Sequence, residues 1–545
     1  MTKFLLFFKS IPRPFKFALL SGALIGTSYI PFPGWALFFC YCPLWLAISE
    51  IQSDPTPNSK NKFKKIFAAG WLTQFVLTLI GFNWIFYVST EFGLLHWSIA
   101  GAALLLFASL MHLYIPISLV LSCFVFSRFK ISNRLVQLLI MALTLSFLER
   151  IWPSIFEWNL AYSLLWMRWP LFQWADTVGF WGLSTWILLS QAFITYAILI
   201  RKFEPRKSIK IVSLTILVLG AFTALGLIKE KKWSFFDQAV KFAIVQGNVG
   251  NVDKVQSEKK QNFQIFILQL YADLTAQHLK LSPDTEVILW PETAMPFPLD
   301  SNFRGRTEQA ELLNYVAQWK VPLITGAYSV DLLRRDHLGN YLTSNSVFFL
   351  GSSPLSEIGE PYDKTDLLVF GEYMPFGRQL PFLYKLLPFV GNFKTGSGAS
   401  VREIQLASRK LRVGPQICYE SLNPGFSRGL AEKGSQILFN VTNDSWFGWW
   451  AEPYQHEIMT LGRAIEVRRP LIRATNTGIS SVILANGEQL EKSPIAKTWA
   501  HTYEVKYLEN PPQSFYTKMG HFDWIIWLII FASLIIFNRK KGNHV

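Results

Sequence analysis

The sequence predicts a polytopic α-helical membrane bundle of about eight spans carrying an extracytoplasmic α/β domain. Three observations carry that expectation. The composition is 51% hydrophobic and only 16% charged, with mean hydropathy +0.25, too apolar for an ordinary soluble chain of 545 residues. Apolar stretches of bilayer length, or nearly so, recur through residues 14–228 and once more near the end. Between them lies one polar block in which β-rich runs alternate with helical patterns.

The spans are drawn at 14–31, 33–49, 65–89, 95–127, 134–150, 178–200, 209–228 and 522–538. The first two are short and separated by Pro31-Phe32-Pro33-Gly34, so a single broken or re-entrant element is the alternative. Basic residues alternate from loop to loop as cytoplasmic loops require. Lys3, Lys9, Arg13 and Lys16 precede the first span, and Lys60, Lys62, Lys64 and Lys65 follow the second. Arg128, Lys130 and Arg134 follow the fourth; Arg201, Lys202, Arg206, Lys207 and Lys210 follow the sixth; Arg539, Lys540 and Lys541 follow the last. The opposite loops carry Glu91 and the Trp-rich stretch 151–174, an interfacial aromatic belt. Both termini are therefore expected in the cytoplasm. The formal charge of +15 is read as topology rather than as affinity for nucleic acid. A cleavable signal ending near Ser21-Gly22-Ala23 competes with this reading, but the charge-consistent spans that follow oppose it. The expected domains are a bundle of about seven spans over 1–230, an extracytoplasmic catalytic domain over 231–520, and a final helix with a basic cytoplasmic tail over 521–545.

Within the block, Val240–Val245, Glu286–Trp290, Pro322–Gly326, Ser346–Leu350, Leu411–Ile417 and Ile437–Val441 read as strands. Gln261–Leu279 and Thr307–Trp319 read as helices. Pro291 stops the second strand, so Glu292 emerges at a strand end, where α/β sheets build sites. Cys418 likewise follows a strand, and Asn443-Asp444-Ser445-Trp446-Phe447-Gly448 follows another. Cys40, Cys42 and Cys123 fall in apolar segments as small hydrophobes, which leaves Cys418 as the one thiol of the block. A thiol at its ordinary pKa is mostly protonated at neutral pH. Attack by Cys418 then needs a carboxylate to take the proton and a cation to face the oxyanion, and Glu292 and Lys364 supply both. Glu372 or Glu420 is expected to hold that lysine. His278, His337 and His456 show no ligand spacing, and no metal or other cofactor is expected.

The set Glu292, Lys364 and Cys418 resembles the Glu-Lys-Cys triad of the carbon-nitrogen hydrolase (nitrilase) superfamily. The whole chain, with its framing spans, resembles the apolipoprotein N-acyltransferase family. Six phrases carry the resemblance: Val245-Gln246-Gly247-Asn248, Trp290-Pro291-Glu292-Thr293-Ala294, Gly371-Glu372-Tyr373-Met374-Pro375-Phe376-Gly377, Ile417-Cys418-Tyr419-Glu420, Asn443-Asp444-Ser445-Trp446-Phe447-Gly448 and Arg473-Ala474-Thr475-Asn476-Thr477-Gly478. It implies a nitrilase-like αββα sandwich in the periplasm, on a multi-pass protein of the bacterial inner membrane. It also implies transfer of the sn-1 acyl chain of a phospholipid, typically phosphatidylethanolamine, to the α-amine of an S-diacylglyceryl-cysteine on an apolipoprotein, through a Cys418 thioester. By that resemblance Glu292 is the base, Lys364 the oxyanion partner and Glu372 its orienting carboxylate.

Tyr419 and Glu420 are expected as supporting residues, and Trp446, Phe447 and Phe376 as substrate contacts, with Trp449 and Trp450 extending the apolar wall. Met374–Phe393 is expected to be a mobile arm that touches lipid and covers the pocket. The family often has a Trp where this chain has Val255, which puts any lid contact of that residue in doubt. Arg473 and Asn476 read as a structural turn pair. The expected partners are a phospholipid donor, a diacylglyceryl apolipoprotein acceptor and membrane lipid, with no nucleic acid, and the chain is expected to act as a monomer. Two rival functions are a membrane-tethered amidohydrolase with water as acceptor, and a transporter with a degenerate hydrolase domain. Few ionisable residues in the spans, chiefly His112, Glu149 and Asp176, speak against the second.

Overall fold

Apolar helices build the first of two units into which the chain divides: Met1–Ser154, Trp158–Ile228 and Met519–Val545. The second unit comprises Ile155–Glu157 and Lys229–Lys518. The computed structural model describes residues 10–54, 59–250, 261–300, 307–336, 339–352, 358–387 and 390–542. Lys3, Lys9, Val255, His337, Pro388 and Phe389 lie outside the described residues.

The main helices of the first unit are Arg13–Gly26, Cys42–Ser53, Ser59–Gly81, Trp97–Leu110, Tyr114–Phe129, Arg134–Ile151, Ala175–Ile200, Pro205–Lys232 and Asp523–Gly542. Among the described residues, four stretches are long and apolar enough to cross a membrane: Asn61–Gly81, Trp97–Phe129, Pro170–Ile200 and Pro205–Lys232; Asp523–Asn538 is apolar but shorter. The segment drawn as a span at 33–49 departs from expectation, since it is helical only from Cys42, after turns through 27–41. Pro31 and Pro33 lack the N–H that a continuous helix needs. Side chains satisfy the irregular backbone instead: the Gln191 amide accepts from the Tyr41 N–H at 2.6 Å and donates to the Leu37 carbonyl at 2.9 Å, and Ser21 donates to the Cys40 carbonyl at 2.6 Å.

The stretch drawn as one span at 95–127 is likewise two helices, parted by a turn at Met111–Leu113. Pro116 has no N–H to give the His112 carbonyl, which takes the Ile115 N–H at 2.9 Å instead, and Gln74 Oε1 accepts the His112 N–H at 3.0 Å. The ionisable groups here have partners of their own. His112 Nδ1 meets Thr78 Oγ1 at 2.8 Å, Glu149 accepts from Tyr114 and Ser184, and Arg150 pairs with Asp523 at 2.5 Å.

Two sheets form the second unit. The first contains β1 (Gln238–Gln246), β2 (Val287–Leu289), β3 (Met295–Pro298), β4 (Leu323–Arg335), β5 (Tyr341–Leu350), β6 (Tyr362–Asp363) and β12 (Trp499–Tyr507), ordered β12-β1-β2-β4-β5-β6 with β3 on β4. The second contains β7 (Arg402–Gln405), β8 (Lys410–Ile417), β9 (Ile437–Thr442), β10 (Leu471–Thr475) and β11 (Ser481–Ile483), ordered β11-β10-β9-β8-β7. Each sheet has a parallel centre, β1-β2-β4 or β8-β9-β10, and antiparallel strands toward its edges. Central strands such as Ile437–Thr442 are buried along their whole length, as layers on both faces require. Helices Gln261–Leu281 and Thr307–Trp319 cover the first sheet, and Pro424–Glu432 and Glu452–Val467 cover the second. The sheets face each other through pairs such as Phe349 and Phe439, edge to face at 6.1 Å, which makes four layers.

Candidate active site

The carboxyl ends of parallel strands, one in each sheet, supply two of the site residues. Trp290, fully buried, bonds Thr275 through its indole N–H at 3.0 Å and packs on Tyr271 and Trp319, so the end of β2 is anchored before Pro291 turns it. Glu292 emerges there, buried. Its backbone passes so close to Gly326 that a Cβ on that glycine would lie 2.5 Å from the Thr293 nitrogen and 2.7 Å from the Glu292 Cα. Lys364 follows β6 and is 1% exposed; its N–H bonds the Asn345 carbonyl at 2.8 Å and its carbonyl accepts from Gly396 at 2.7 Å. From the second sheet, β8 ends at Ile417 and Cys418 opens a short 3-10 turn with φ +50°, a left-handed conformation that a side chain seldom adopts.

Lys364 Nζ lies 2.8 Å from Glu372 Oε2 and 3.5 Å from Glu292 Oε1. Asn345 Nδ2 donates to both carboxylates, at 2.7 Å to Glu292 and 3.1 Å to Glu372, and the Leu368 N–H adds a bond to Glu372 at 2.8 Å. This is not a surface ion pair: Lys364 and Glu292 are buried, Glu372 is nearly so, and the backbone and Asn345 donors fix both carboxyl groups. Burial works against the Lys364 ammonium, but Glu372 and Glu292 outweigh it and raise the lysine above its ordinary value. Burial raises the Cys418 thiol well above its usual range; Glu292 adds to this, and Lys364 and a Thr442 hydrogen bond oppose it. Cys418 therefore rests as a thiol beside the Lys364 ammonium rather than as a preformed thiolate.

Glu420 ties the two site loops together. It accepts from the Ile417 N–H at 2.7 Å on one side, and from Tyr362 O–H at 2.6 Å, the Thr365 N–H at 2.5 Å and the Asp366 N–H at 3.4 Å on the other. Burial lifts its carboxyl to about 7. Tyr419 is half-buried, its ring edge-on to Phe156 at 6.3 Å, and Phe156 meets buried Phe447 at 6.2 Å. Trp446 is half-buried, whereas Trp449, Trp450 and Phe376 are exposed. The segment from Met374 forms a short helix, Phe382–Leu386, that presents Phe382 and Leu386 to the outside. Its base is pinned by Tyr384 to Asn392, Asn392 to Asp336, and Phe393 stacked on Tyr328.

Several residues that sequence reasoning passed over complete the site. Asn345 is one, and an Asn inside the buried run Ser344–Leu350 was its available signal. Asn440 and Thr442 are others, hidden in a strand that reads as hydrophobic. His456 also does more than its spacing suggests, because Asp444, Glu452 and His456 place one ligand atom each within 4.8 Å of one another. Arg473 supplies the positive charge there, its Nη2 donating to Asp444 Oδ2 at 2.7 Å and its charge holding that carboxyl at about 2 against burial. Asn476, read as a turn residue, stitches phrases together by bonding the Val249 backbone, Tyr271 and Asn443. Gln246 does the same for Thr475, Ser480 and Ser493.

Residues 241–506, with the Cys418 turn leaving one sheet and Glu292 and Lys364 following strands of the other, match the Carbon-nitrogen hydrolase family model, which places this domain in the carbon-nitrogen hydrolase class. Residues 21–193 match the model of the Apolipoprotein N-acyltransferase N-terminal domain. An "Apolipoprotein N-acyltransferase" of Bdellovibrio bacteriovorus is 46% identical over 98% of this chain and 96% of its own. One of Geobacter metallireducens is 30% identical over 98% of each. The chain belongs to the apolipoprotein N-acyltransferase family. The solved structure of Saccharomyces cerevisiae Nit3, of the nitrilase superfamily, matches 52% of this chain and 94% of its own at 15% identity, with a TM-score of 0.37 that is too low to bear on the site.

Proposed function

We propose that the chain transfers an acyl chain from a phospholipid to the N-terminal α-amine of the S-diacylglyceryl-cysteine of apolipoproteins, the last step of lipoprotein maturation. The observation that carries this is that buried Glu292 and Lys364, 3.5 Å apart, both act electrostatically on Cys418, a thiol set in a left-handed turn. Full-length relatives named for acyl transfer to apolipoproteins support the choice of acceptor.

Glu292 takes the thiol proton as Sγ attacks the ester carbonyl, so an S–C bond forms and the oxyanion meets the Lys364 ammonium. Collapse breaks the ester C–O bond. Glu292 returns the proton to the glycerol oxygen, and a lysophospholipid leaves. The acceptor amine then attacks the thioester, Glu292 takes a proton from it, the N–C bond forms, and the sulfur regains its proton as the S–C bond breaks. Glu372 orients Lys364 throughout, while Tyr419 and Glu420 support the Cys418 turn. Phe447, Trp446 and Phe376 contact the acyl chain, and the arm from Met374 to Phe393 keeps water from the thioester. The donor is the sn-1 chain of phosphatidylethanolamine, no cofactor enters, and one chain suffices.

About eight spans thread the bacterial inner membrane, with residues 231–520 as the periplasmic catalytic domain and both termini in the cytoplasm. The alternating basic loops support that placement. Family membership over the full chain favours neither water as acceptor nor a transport function. In membranes reconstituted with phosphatidylethanolamine and a diacylglyceryl lipopeptide, the chain is expected to yield an N-acylated peptide. Cys418→Ala is expected to yield none, and product from that variant overturns the proposal.

A further inference from the structure

We infer that Arg473 is a positioning residue for the Cys418 thiol, acting through two hydrogen-bonded arms that converge on the Cys418 carbonyl; the inference rests on the reading of Cys418 as the nucleophile. In the first arm Arg473 Nη1 donates to Asn440 Oδ1 at 2.9 Å, and Asn440 Nδ2 donates to the Cys418 carbonyl at 3.1 Å. Because the guanidinium only donates, it fixes the Asn440 amide with its NH2 toward Cys418. In the second arm Arg473 Nη1 donates to Thr460 Oγ1 at 3.2 Å, Thr460 and Ser421 meet at 2.7 Å, and Ser421 donates to the same carbonyl at 2.9 Å. Ser421 has spent its one proton on the carbonyl, so Thr460 must donate to Ser421. Every proton in the arm then points from the guanidinium toward Cys418, and such a chain polarises cooperatively.

The arms have a reason to exist. A side chain at φ +50° is disfavoured against ordinary backbone, and only surrounding contacts keep it there. Two donors on the Cys418 carbonyl hold that peptide, and with it the direction in which Sγ leaves the turn. The source of both arms is itself immobile: Arg473 is fully buried on β10, paired in register with Asn440 on β9, and its Nη2 is bound to Asp444. Asp444 is held in turn by His456 Nδ1 at 3.0 Å.

The test is the single-turnover rate of thioester formation, read by intact mass on the purified full chain in phosphatidylethanolamine vesicles. Arg473→Met is expected to slow it about 100-fold while the half-saturating phospholipid content stays within about twofold. Arg473→Lys, which keeps the charge and can donate to both arms from one nitrogen but loses the separate Nη2 bound to Asp444, is expected to recover part of the rate. A merely structural role would lower thermal stability without this split and without rescue. Should Arg473→Met fail to fold, Ser421→Ala and Asn440→Ala cut the arms singly, each with an expected loss of about tenfold. Wild-type rates in these variants, or a change confined to half-saturation, overturn the inference. A wild-type chain that never becomes acylated overturns the underlying reading of Cys418 instead.

Discussion

At Cys418 two negative charges and one positive charge surround a sulfur, and their separate effects on it have opposite signs. Glu292 raises the thiol and Lys364 lowers it. Replacing Glu292 by Gln is therefore expected to lower the thiol and speed alkylation of Cys418 by iodoacetamide at pH 8 by about tenfold, while abolishing acyl transfer. Lys364→Met is expected to slow both. In the unaltered chain the alkylation rate should still climb with pH through 9, with no plateau between 6 and 8; such a plateau would mean a preformed thiolate. The sequence placed Glu292 and Cys418 after readable strands and singled out Lys364 through the Glu-Lys-Cys resemblance, since β6, which precedes it, is only two residues long. Asn345, Asn440 and Thr442 were not legible, since a polar residue inside a buried strand announces a partner without saying which one.

Strands and the turns that leave them set the site's tolerance. A Cβ at Gly326 has nowhere to go but into the backbone that carries Glu292. Gly326→Ala is expected to lower turnover about 100-fold, with a stability loss of about 1–3 kcal/mol read from denaturant melts. Near-normal turnover would show that Glu292 does not depend on that approach. Elements with continuous apolar runs, such as β8 and β9, and the helix Thr307–Trp319 could be read from the chain directly. Shorter or mixed ones could not: β6 is two residues long, β10 carries Arg473, and β12 is an exposed-edge alternation with weak hydrophobic contrast. In the membrane unit, residues 33–49 were apolar enough to be drawn as a short span, yet Pro31 and Pro33 with the Gln191 amide made residues 33–41 turns.

For the molecule as a whole, basic loops argue that residues 231–520 face the periplasm. Cysteines introduced at Lys410 and Lys202, in a chain whose Cys418 is Ala, separate the possibilities. An impermeant maleimide added to cells with an opened outer membrane is expected to label the first but not the second. Labelling of Lys202→Cys alone would invert the topology. Composition separated an apolar part from a polar block, and the chain divides into two units. The number of crossings was less legible, because helix breaks depend on side chains such as Gln74 and Gln191 that act across many residues of sequence. Intact mass spectrometry after incubation with phosphatidylethanolamine reads the covalent step itself. The expected result is one added acyl mass on Cys418, released by hydroxylamine and missing in Glu292→Gln. An unmodified wild-type chain that nonetheless acylates its acceptor, or an acyl mass that persists in Cys418→Ala, would contradict it.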